Sequence, residues 1–140
     1  MAKIRILLDT DIIIDSLKGV RAAKELFRTR DIGLYCSVLT KKELFSKRGL
    51  KDSERKRIIN LLARMKVLRI DDDINNKFFS LIKTYGEDPD HIADYIIAAT
   101  AWSKKLPLLT RNRKHFEHIK EIKLSPSYSI ESIRKTQRTQ

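Results

Sequence analysis

An α/β fold with a mainly parallel central sheet is predicted, because short apolar runs alternate along the chain with segments whose apolar residues recur at helical spacing. The first run, residues 4–8, is interrupted only by Arg5, a pattern typical of a strand buried on both faces. The first half of residues 92–112 is apolar nearly all the way round, which predicts a buried helix. The 140 residues contain no internal repeat and no linker rich in proline or glycine, so we expect one domain over 1–134 and a polar tail over 135–140.

The remaining elements follow from the same patterns, with glycine, proline and capping residues marking their ends. Helices that alternate with strands in this way can provide the crossovers that parallel strands need. Further strands are predicted at residues 32–38, 67–70, 106–109 and 122–124. Helices are also predicted at residues 22–28 and 130–133, and a short one is predicted around Phe116 and Ile119. Two more run from Thr40 towards Gly49 and from Asp72 or Asp73 to Gly86. The last two begin at a cap, which is Asp52 or Ser53 for one and Asp88, followed by Pro89, for the other.

The charge of the chain indicates its kind of partner. A formal net charge of +12 favours a polyanion such as nucleic acid, although a membrane surface or an acidic protein would fit the same charge. Cys36 is the only cysteine, so no disulfide can form within the chain and a reducing compartment is expected. Asp9 and Asp11 interrupt the first apolar run, which is wrong for a signal peptide, and no apolar stretch is long enough to span a bilayer. We therefore expect a cytoplasmic protein that does not enter the membrane.

Two carboxylates and a polar triplet are placed where α/β proteins bind ligands. Asp9 directly follows the first strand, and residues 110–112 (Thr-Arg-Asn) directly follow the run at 106–109, so both should lie at the carboxyl edge of the sheet. Asp94 lies inside the apolar helix, on a face that it shares with Ala98 and Ala101. A lone ionised carboxylate there would be costly, so it must meet a cation, accept hydrogen bonds at the rim of the core or face solvent.

Several of these polar residues also have a purely structural interpretation. Thr40 and Glu43 have the spacing of a capping box, so a role as a helix cap and a role as a ligand are equally consistent with Glu43. Either Asp9 or Asp11 could cap the segment that begins at residue 12, and for Asp11 we prefer the cap. Asn112 could be a turn residue. All four candidate residues, Asp9, Glu43, Asp94 and Asn112, could nevertheless meet at one sheet edge.

Carboxylates gathered at one edge repel each other, and a hard divalent cation with oxygen ligands relieves that repulsion. The sequence has no histidine or cysteine cluster with zinc spacing, so Mg²⁺ or Mn²⁺ is the expected metal, and its chemistry suits hydrolysis of a phosphodiester. Arg111 and Arg113 flank Asn112 and are the predicted contacts to phosphate. The three histidines are expected at the surface or in caps rather than in catalysis: His91, His115 and His118.

Four segments in a fixed order carry a resemblance that spans nearly the whole chain. The segments are residues 8–12 (LDTDI), 37–44 (SVLTKKEL), 94–101 (DYIIAATA) and 109–116 (LTRNRKHF). Each segment alone is weakly specific, whereas the ordered set is quite specific. With these segments the sequence resembles the PIN-domain ribonucleases, and most closely the VapC-type toxins of toxin-antitoxin pairs.

The resemblance implies a Rossmann-like sheet of about five parallel strands and endonucleolytic cleavage of RNA with Mg²⁺ or Mn²⁺. By motif it assigns metal ligation to Asp9, Glu43 and Asp94, and it places Asn112 where many members carry a fourth acid. The loss of that negative charge puts a tightly held second metal in doubt. Thr110 falls at the hydroxyl that supports the ligands in the family. The resemblance also implies a homodimer and a cognate antitoxin that covers the acidic site.

Two other functions fit parts of the sequence. Asp9-x-Asp11 after an apolar strand resembles the nucleophile and acid of a haloacid-dehalogenase-type phosphatase, but Ile12 and Ile13 replace the expected small or hydroxyl residues. A basic module that binds RNA or a protein without chemistry would account for the charge alone. Such a module would bind in a salt-sensitive manner and ignore both chelators and substitution of the acids.

Overall fold

A parallel four-stranded sheet forms the centre of the computed structural model, which describes residues 4–126 and 128–138. The strand order is β3-β2-β1-β4, so the first strand of the chain lies inside the sheet. All three strand pairings are parallel, which confirms the predicted fold class. The strands are β1 (Ile4–Leu8), β2 (Ile32–Ser37), β3 (Lys66–Leu68) and β4 (Leu108–Leu109).

Helices cover both faces of this sheet, as side chains that alternate along β1 require. Ile6 and Leu8 point into one apolar cluster, whereas Leu7 points into another, and all three are fully buried. Full burial of one such side chain stabilises the fold by about 1.5–3 kcal/mol. The helices are α1 (Thr10–Leu17), α2 (Arg21–Arg28), α3 (Val38–Phe45), α4 (Asp52–Leu62), α5 (Asp72–Tyr85), α6 (Ile92–Lys104) and α7 (Ile130–Arg138).

The two sides of the sheet are packed by different helices. Residues of α1, α2, α4 and α7 join the cluster of Ile6 and Leu8. Residues of α5 and α6 form the cluster around Leu7. Within residues 4–126 and 128–138, no helix is both long and apolar enough to cross a membrane.

The sheet has four strands rather than about five, because the predicted strand at residues 122–124 is reduced to one bridge. Leu108 pairs with Leu124 in an isolated parallel bridge, in which Leu108 donates to the Lys123 carbonyl at 2.9 Å and accepts from the Ser125 amide at 2.8 Å. β4 itself has only two residues, since Pro107 has no amide proton to extend the ladder. A ladder this short offers no partner for a longer fifth strand.

Several helix boundaries also differ from the predictions. α3 begins at Val38 and is capped by the Ser37 hydroxyl, so it starts before Thr40. The residue at the N-cap of α4 is Lys51 rather than Asp52 or Ser53. α7 extends to Arg138 and includes the first four residues of the expected tail. The predicted short helix around residues 116–119 is instead a 3₁₀ helix over Arg113–His115, followed by turns.

Candidate active site

A pocket of about 270 Å³ opens beside the carboxyl end of β1, where the parallel strands direct the residues that follow them. Its wall contains all four residues predicted for the site: Asp9, Glu43, Asp94 and Asn112. They come from the end of β1, from α3, from α6 and from the segment after β4. Side chains that are far apart in the chain thus share one concave, acidic surface.

Asp9 is held from two sides. Its Oδ1 accepts from the Thr10 amide at 2.8 Å, which makes Asp9 the N-cap of α1, and its Oδ2 accepts from the Thr110 hydroxyl at 2.8 Å. Burial raises the pKa of Asp9 to about 6, against the lowering effect of the Thr110 hydrogen bond, and the neighbouring charges of Asp11 and Asp94 add to the increase. A bound cation nearby would favour the ionised form of this carboxyl.

Thr110 connects the ends of the two neighbouring strands. The residue is buried, and its hydroxyl accepts a hydrogen bond of 3.0 Å from the amide of Asn112 while it donates to Asp9. The backbone makes the same connection, because the Asp9 amide donates to the Leu109 carbonyl at 3.0 Å. The segment that carries Asn112 is therefore fixed against the end of β1.

Glu43 lines the pocket and is not part of a capping box. Thr40 lies inside α3, where it is fully buried, and its hydroxyl accepts from the Thr10 hydroxyl at 3.0 Å. Desolvation in the cleft raises the pKa of the Glu43 carboxyl, and the charge of Asp94 acts in the same direction. The capping interpretation of Glu43 was wrong because the N-cap of the helix is Ser37.

Asp94 lies in the first turn of α6, at the rim of the core, and its side chain is 22% exposed. Ala98 and Ala101 on the same helix are buried, as their small size predicted. The Asp94 Oδ2 atom lies 3.2 Å from His91 Nδ1 and 3.1 Å from His115 Nδ1. Of the three arrangements open to this carboxylate, the structure therefore shows polar contacts at the rim, and two histidines supply them.

His115 and His118 are exposed, and His91 is half-buried at the N-cap position of α6, so the three histidines lie where surface or cap residues were predicted. The contacts of His91 and His115 with Asp94 were not predicted. The i,i+3 spacing of His91 and Asp94 was a usable signal, because residues three apart are neighbours on a helical turn. His115 lies after a different strand, so only the folded chain brings it to Asp94. The structure thus groups two imidazoles and a carboxylate, although the sequence has no zinc-type spacing.

Asp11 also lines the pocket, a role that the preferred capping interpretation missed. Its Oδ2 accepts from the Arg111 amide at 2.9 Å, whereas its Oδ1 is buried and has no hydrogen-bond partner among the residues that the structure describes. Burial raises the pKa of the Asp11 carboxyl. An unsatisfied buried carboxylate oxygen beside an acidic pocket is a favourable place for a cation.

The chain is similar to known proteins over most of its length. The PIN domain family matches residues 6–122. Ribonuclease VapC10 of Mycobacterium tuberculosis is 32% identical over 129 residues, which cover 89% of this chain and 94% of VapC10. The chain belongs to the PIN-domain family and to its VapC ribonucleases. Ribonuclease VapC1 of Methanocaldococcus jannaschii is 34% identical over 124 residues, or 86% of this chain and 85% of that protein.

Solved structures show the same fold as this VapC-family chain. A toxin-antitoxin complex from Klebsiella pneumoniae contains a chain with 29% identity and a TM-score of 0.71, and the match covers 87% of this chain and 98% of that one. A DNA-bound VapBC from Salmonella typhimurium contains a chain with a TM-score of 0.74 and 22% identity, with 90% and 99% covered. At 22% identity, the match to the Salmonella typhimurium chain shows a shared fold and nothing more.

The two arginines predicted to contact phosphate both have partners within the VapC-family chain. Arg111 Nε lies 2.9 Å from Asp15 Oδ2, and Arg113 Nη1 donates to the Ser125 carbonyl at 2.6 Å. Asp15 is buried and also accepts from the Tyr128 hydroxyl at 2.5 Å. The Arg111 side chain remains 52% exposed, so it is still accessible from solvent.

The donor atoms of the pocket suit a hard divalent cation. Its wall offers carboxylate oxygens and one amide group, and no histidine or cysteine belongs to the set that lines it. Burial raises the pKa of Asp9, Asp11 and Glu43, and in each case a neighbouring carboxylate adds to the increase, so a bound cation would favour their ionised forms. The arrangement is therefore chemically suited to binding Mg²⁺ or Mn²⁺.

Proposed function

We propose that this VapC-family chain is an endoribonuclease that needs a divalent metal and serves as the toxin of a toxin-antitoxin pair. The observation that carries the proposal is the convergence of Asp9, Glu43 and Asp94 on one pocket at the carboxyl edge of the sheet. Membership in a family of ribonucleases supports RNA as the substrate. The same family membership favours a nuclease over a phosphatase and over a binding module that catalyses no reaction.

In this proposal Asp9, Glu43 and Asp94 hold Mg²⁺ or Mn²⁺, and the neutral side chain of Asn112 lies beside them. A metal ion bound to them would lower the pKa of a water molecule and stabilise charge on a phosphoryl oxygen. Thr110 orients Asp9, because its hydroxyl donates to the carboxylate oxygen that does not cap α1. The reaction is hydrolysis: a water oxygen adds to phosphorus, the bond to one ribose oxygen breaks, and that oxygen takes up a proton.

Substrate binding in this proposal depends on the basic surface. The net charge of +12 attracts RNA over a distance, and each neutralised phosphate releases counterions. Arg111 and Arg113 are the proposed phosphate contacts closest in sequence to Asn112. Since both have partners within the chain, they would present fixed rather than freely moving charges to the RNA backbone.

We also propose a cognate antitoxin as partner and a homodimer as the assembled form. The similarity to a chain of the Klebsiella pneumoniae toxin-antitoxin complex, at 29% identity, supports the antitoxin. Light scattering coupled to size exclusion would test the dimer, and co-expression with the neighbouring reading frame would test the antitoxin.

The deciding experiment compares Asp94→Asn with Glu131→Gln in cleavage of mixed structured RNAs. Both substitutions remove one negative charge, but Glu131 is an exposed residue of α7 that does not line the pocket. We expect cleavage by the wild type and Glu131→Gln in Mg²⁺ or Mn²⁺, none in EDTA, and none by Asp94→Asn. Equal activity of Asp94→Asn, or cleavage that persists in EDTA, would refute the proposed site.

A further inference from the structure

A cluster of nitrogen and oxygen donors lies beside the acidic pocket and shares one residue with it. His91, Asp94 and His115 each place a potential ligand atom within 4.8 Å of the others. Asp94 Oδ2 is 3.2 Å from His91 Nδ1 and 3.1 Å from His115 Nδ1. The two imidazole rings are 5.3 Å apart between centroids and stand at 78° to each other, so they approach the carboxylate from different directions.

Two of the three separations between the potential ligand atoms fit a tetrahedral metal site. Zinc ligands at about 2.0–2.1 Å from the ion are separated from one another by roughly 3.3 Å along the edges of a tetrahedron. The two measured separations from Asp94 Oδ2, 3.2 Å to His91 and 3.1 Å to His115, are close to that edge. All three side chains are partly exposed, at 39%, 22% and 46% for His91, Asp94 and His115, so an ion could reach them and water could complete the shell.

A second carboxylate lies next to one of the imidazoles. Asp88 Oδ2 lies 3.5 Å from His91 Nε2, on the side of the ring opposite Asp94. Metal-binding histidines commonly have a carboxylate at their other nitrogen, which fixes the tautomer and makes the ligating nitrogen more basic. Asp88 is itself held as the N-cap of the 3₁₀ helix over Pro89–His91, where it accepts from the Asp90 amide at 3.0 Å.

We propose that His91, Asp94 and His115 form a second metal site that takes Zn²⁺ in preference to Mg²⁺. Imidazole nitrogen suits zinc and related transition metals, whereas Mg²⁺ prefers oxygen ligands alone. This inference rests on the proposed function, in which Asp94 is a ligand of the catalytic Mg²⁺. A zinc ion bound by the two histidines and Asp94 would compete with Mg²⁺ for the Asp94 carboxylate. On the proposed function, Zn²⁺ therefore inhibits RNA cleavage even in excess Mg²⁺.

The alternative explanation is that the histidines only hydrogen-bond to Asp94 and orient it. Distances of 3.1 and 3.2 Å suit a hydrogen bond as well as a ligand edge. The two explanations differ in a binding measurement without RNA, because histidines that only orient Asp94 give no zinc site of their own. Binding of the metal, rather than activity, must therefore be measured.

The test is calorimetric titration of Zn²⁺ alone into the full chain without a histidine tag. Six variants accompany the wild type: His91→Ala, His115→Ala, Asp88→Asn, His118→Ala, and two of the acidic pocket, Asp9→Asn and Glu43→Gln. His118 is the matched control, since it is an exposed histidine that stacks edge-on with Tyr85 at 5.3 Å and is outside the cluster. Imidazole NMR signals of the wild type add a readout that needs no variant.

We expect one Zn²⁺ per chain in the wild type and in His118→Ala, with binding weakened about 10–100-fold by Asp88→Asn and more by either ligand substitution. The NMR signals of His91 and His115 should shift with zinc while that of His118 does not. Excess Mg²⁺ should leave the signals of the zinc-bound form in place.

Unchanged zinc binding in His91→Ala and His115→Ala would overturn the site. So would binding that is lost in Asp9→Asn and Glu43→Gln but kept in the histidine variants, since the ion would then occupy the acidic pocket. Because the titration contains no RNA, absence of zinc binding alongside Mg²⁺-dependent cleavage would refute only this site. Zinc binding without any cleavage would instead count against the proposed nuclease.

Discussion

Thr110 donates a hydrogen bond of 2.8 Å to Asp9 Oδ2, although the two residues are 101 positions apart in the chain. The same hydroxyl accepts from the Asn112 amide at 3.0 Å. One buried side chain therefore fixes the strand-end carboxylate and the segment after β4 relative to each other. We expect the pocket to depend on this hydroxyl more than on the size of the residue.

Replacing Thr110 by valine keeps the shape of the side chain and removes the hydroxyl. The Asp9 carboxylate and the Asn112 amide then lose a partner, which should reduce the free energy of unfolding by about 1–3 kcal/mol. Without that hydrogen bond the pKa of Asp9 rises further, so half-maximal cleavage should need about 10–100-fold more Mg²⁺. Thr110→Ser should restore the Mg²⁺ dependence in the same assay. Equal Mg²⁺ requirements for Thr110→Val and the wild type would contradict the orienting role.

Asp9→Asn should abolish cleavage and yet stabilise the metal-free protein at neutral pH. Burial raises the pKa of Asp9 from 3.8 to about 6, so its favourable contribution is complete below pH 3.8 and is lost as the pH rises through 6. The ionised carboxyl at pH 7 therefore opposes folding, and its removal should raise the free energy of unfolding by about 1–3 kcal/mol. Urea denaturation in EDTA at pH 7 and pH 4 measures this, with the difference shrinking at pH 4. A less stable Asp9→Asn at pH 7 would show that the cap and the Thr110 contact outweigh burial.

Protons and the metal should compete for the pocket. Because the pKa of Asp9 is about 6 without metal, lowering the pH below 6 protonates a proposed ligand. The Mg²⁺ concentration for half-maximal cleavage should then rise by up to about tenfold per pH unit, while saturating Mg²⁺ restores much of the rate. Mg²⁺ titrations of cleavage at pH 7.5, 6.5 and 5.5 provide the measurement. A half-maximal concentration that does not change with pH would exclude Asp9 as a metal ligand.

Arg111→Ala should weaken both folding and RNA binding. The substitution leaves the buried Asp15 with the Tyr128 hydroxyl but without its ion pair, which should reduce the free energy of unfolding by about 1–3 kcal/mol. The logarithm of the RNA association constant falls linearly with the logarithm of the salt concentration, and loss of one phosphate contact should reduce the magnitude of that slope by about one. The matched control is Arg21→Ala, whose side chain is 92% exposed in an ion pair with Glu25 and should change neither quantity. A stability loss with an unchanged slope would make Arg111 a structural residue only.

Much of the architecture could be predicted from local patterns. The apolar run of β1, the nearly all-round apolar α6 and the terminating Gly86, with a φ of 96°, each leave a signature within a few residues. The predicted strand at residues 122–124 failed because pairing depends on the partner strand. β4 is too short to support it, and residues 122–124 themselves carry no sign of the length of their partner.

Part of the candidate site could be predicted from where the strands end. Asp9 and Asn112 follow strands, so the parallel sheet brings them to one edge, and Asp94 was conspicuous as a charge inside an apolar helix. Asp11 was missed because a carboxylate at the start of a helix has the same local pattern whether it caps the helix or lines a pocket.

The sequence by itself determined the α/β class, the basic charge and the order of the acidic segments, because each depends on composition or on neighbours in the chain. Only the tertiary structure decided which side chains meet. His115 reaches Asp94, and Arg111 reaches Asp15, across separations that no local pattern records. Contacts of this kind depend on how strands pair and on how helices pack against them, and that packing is a property of the whole chain.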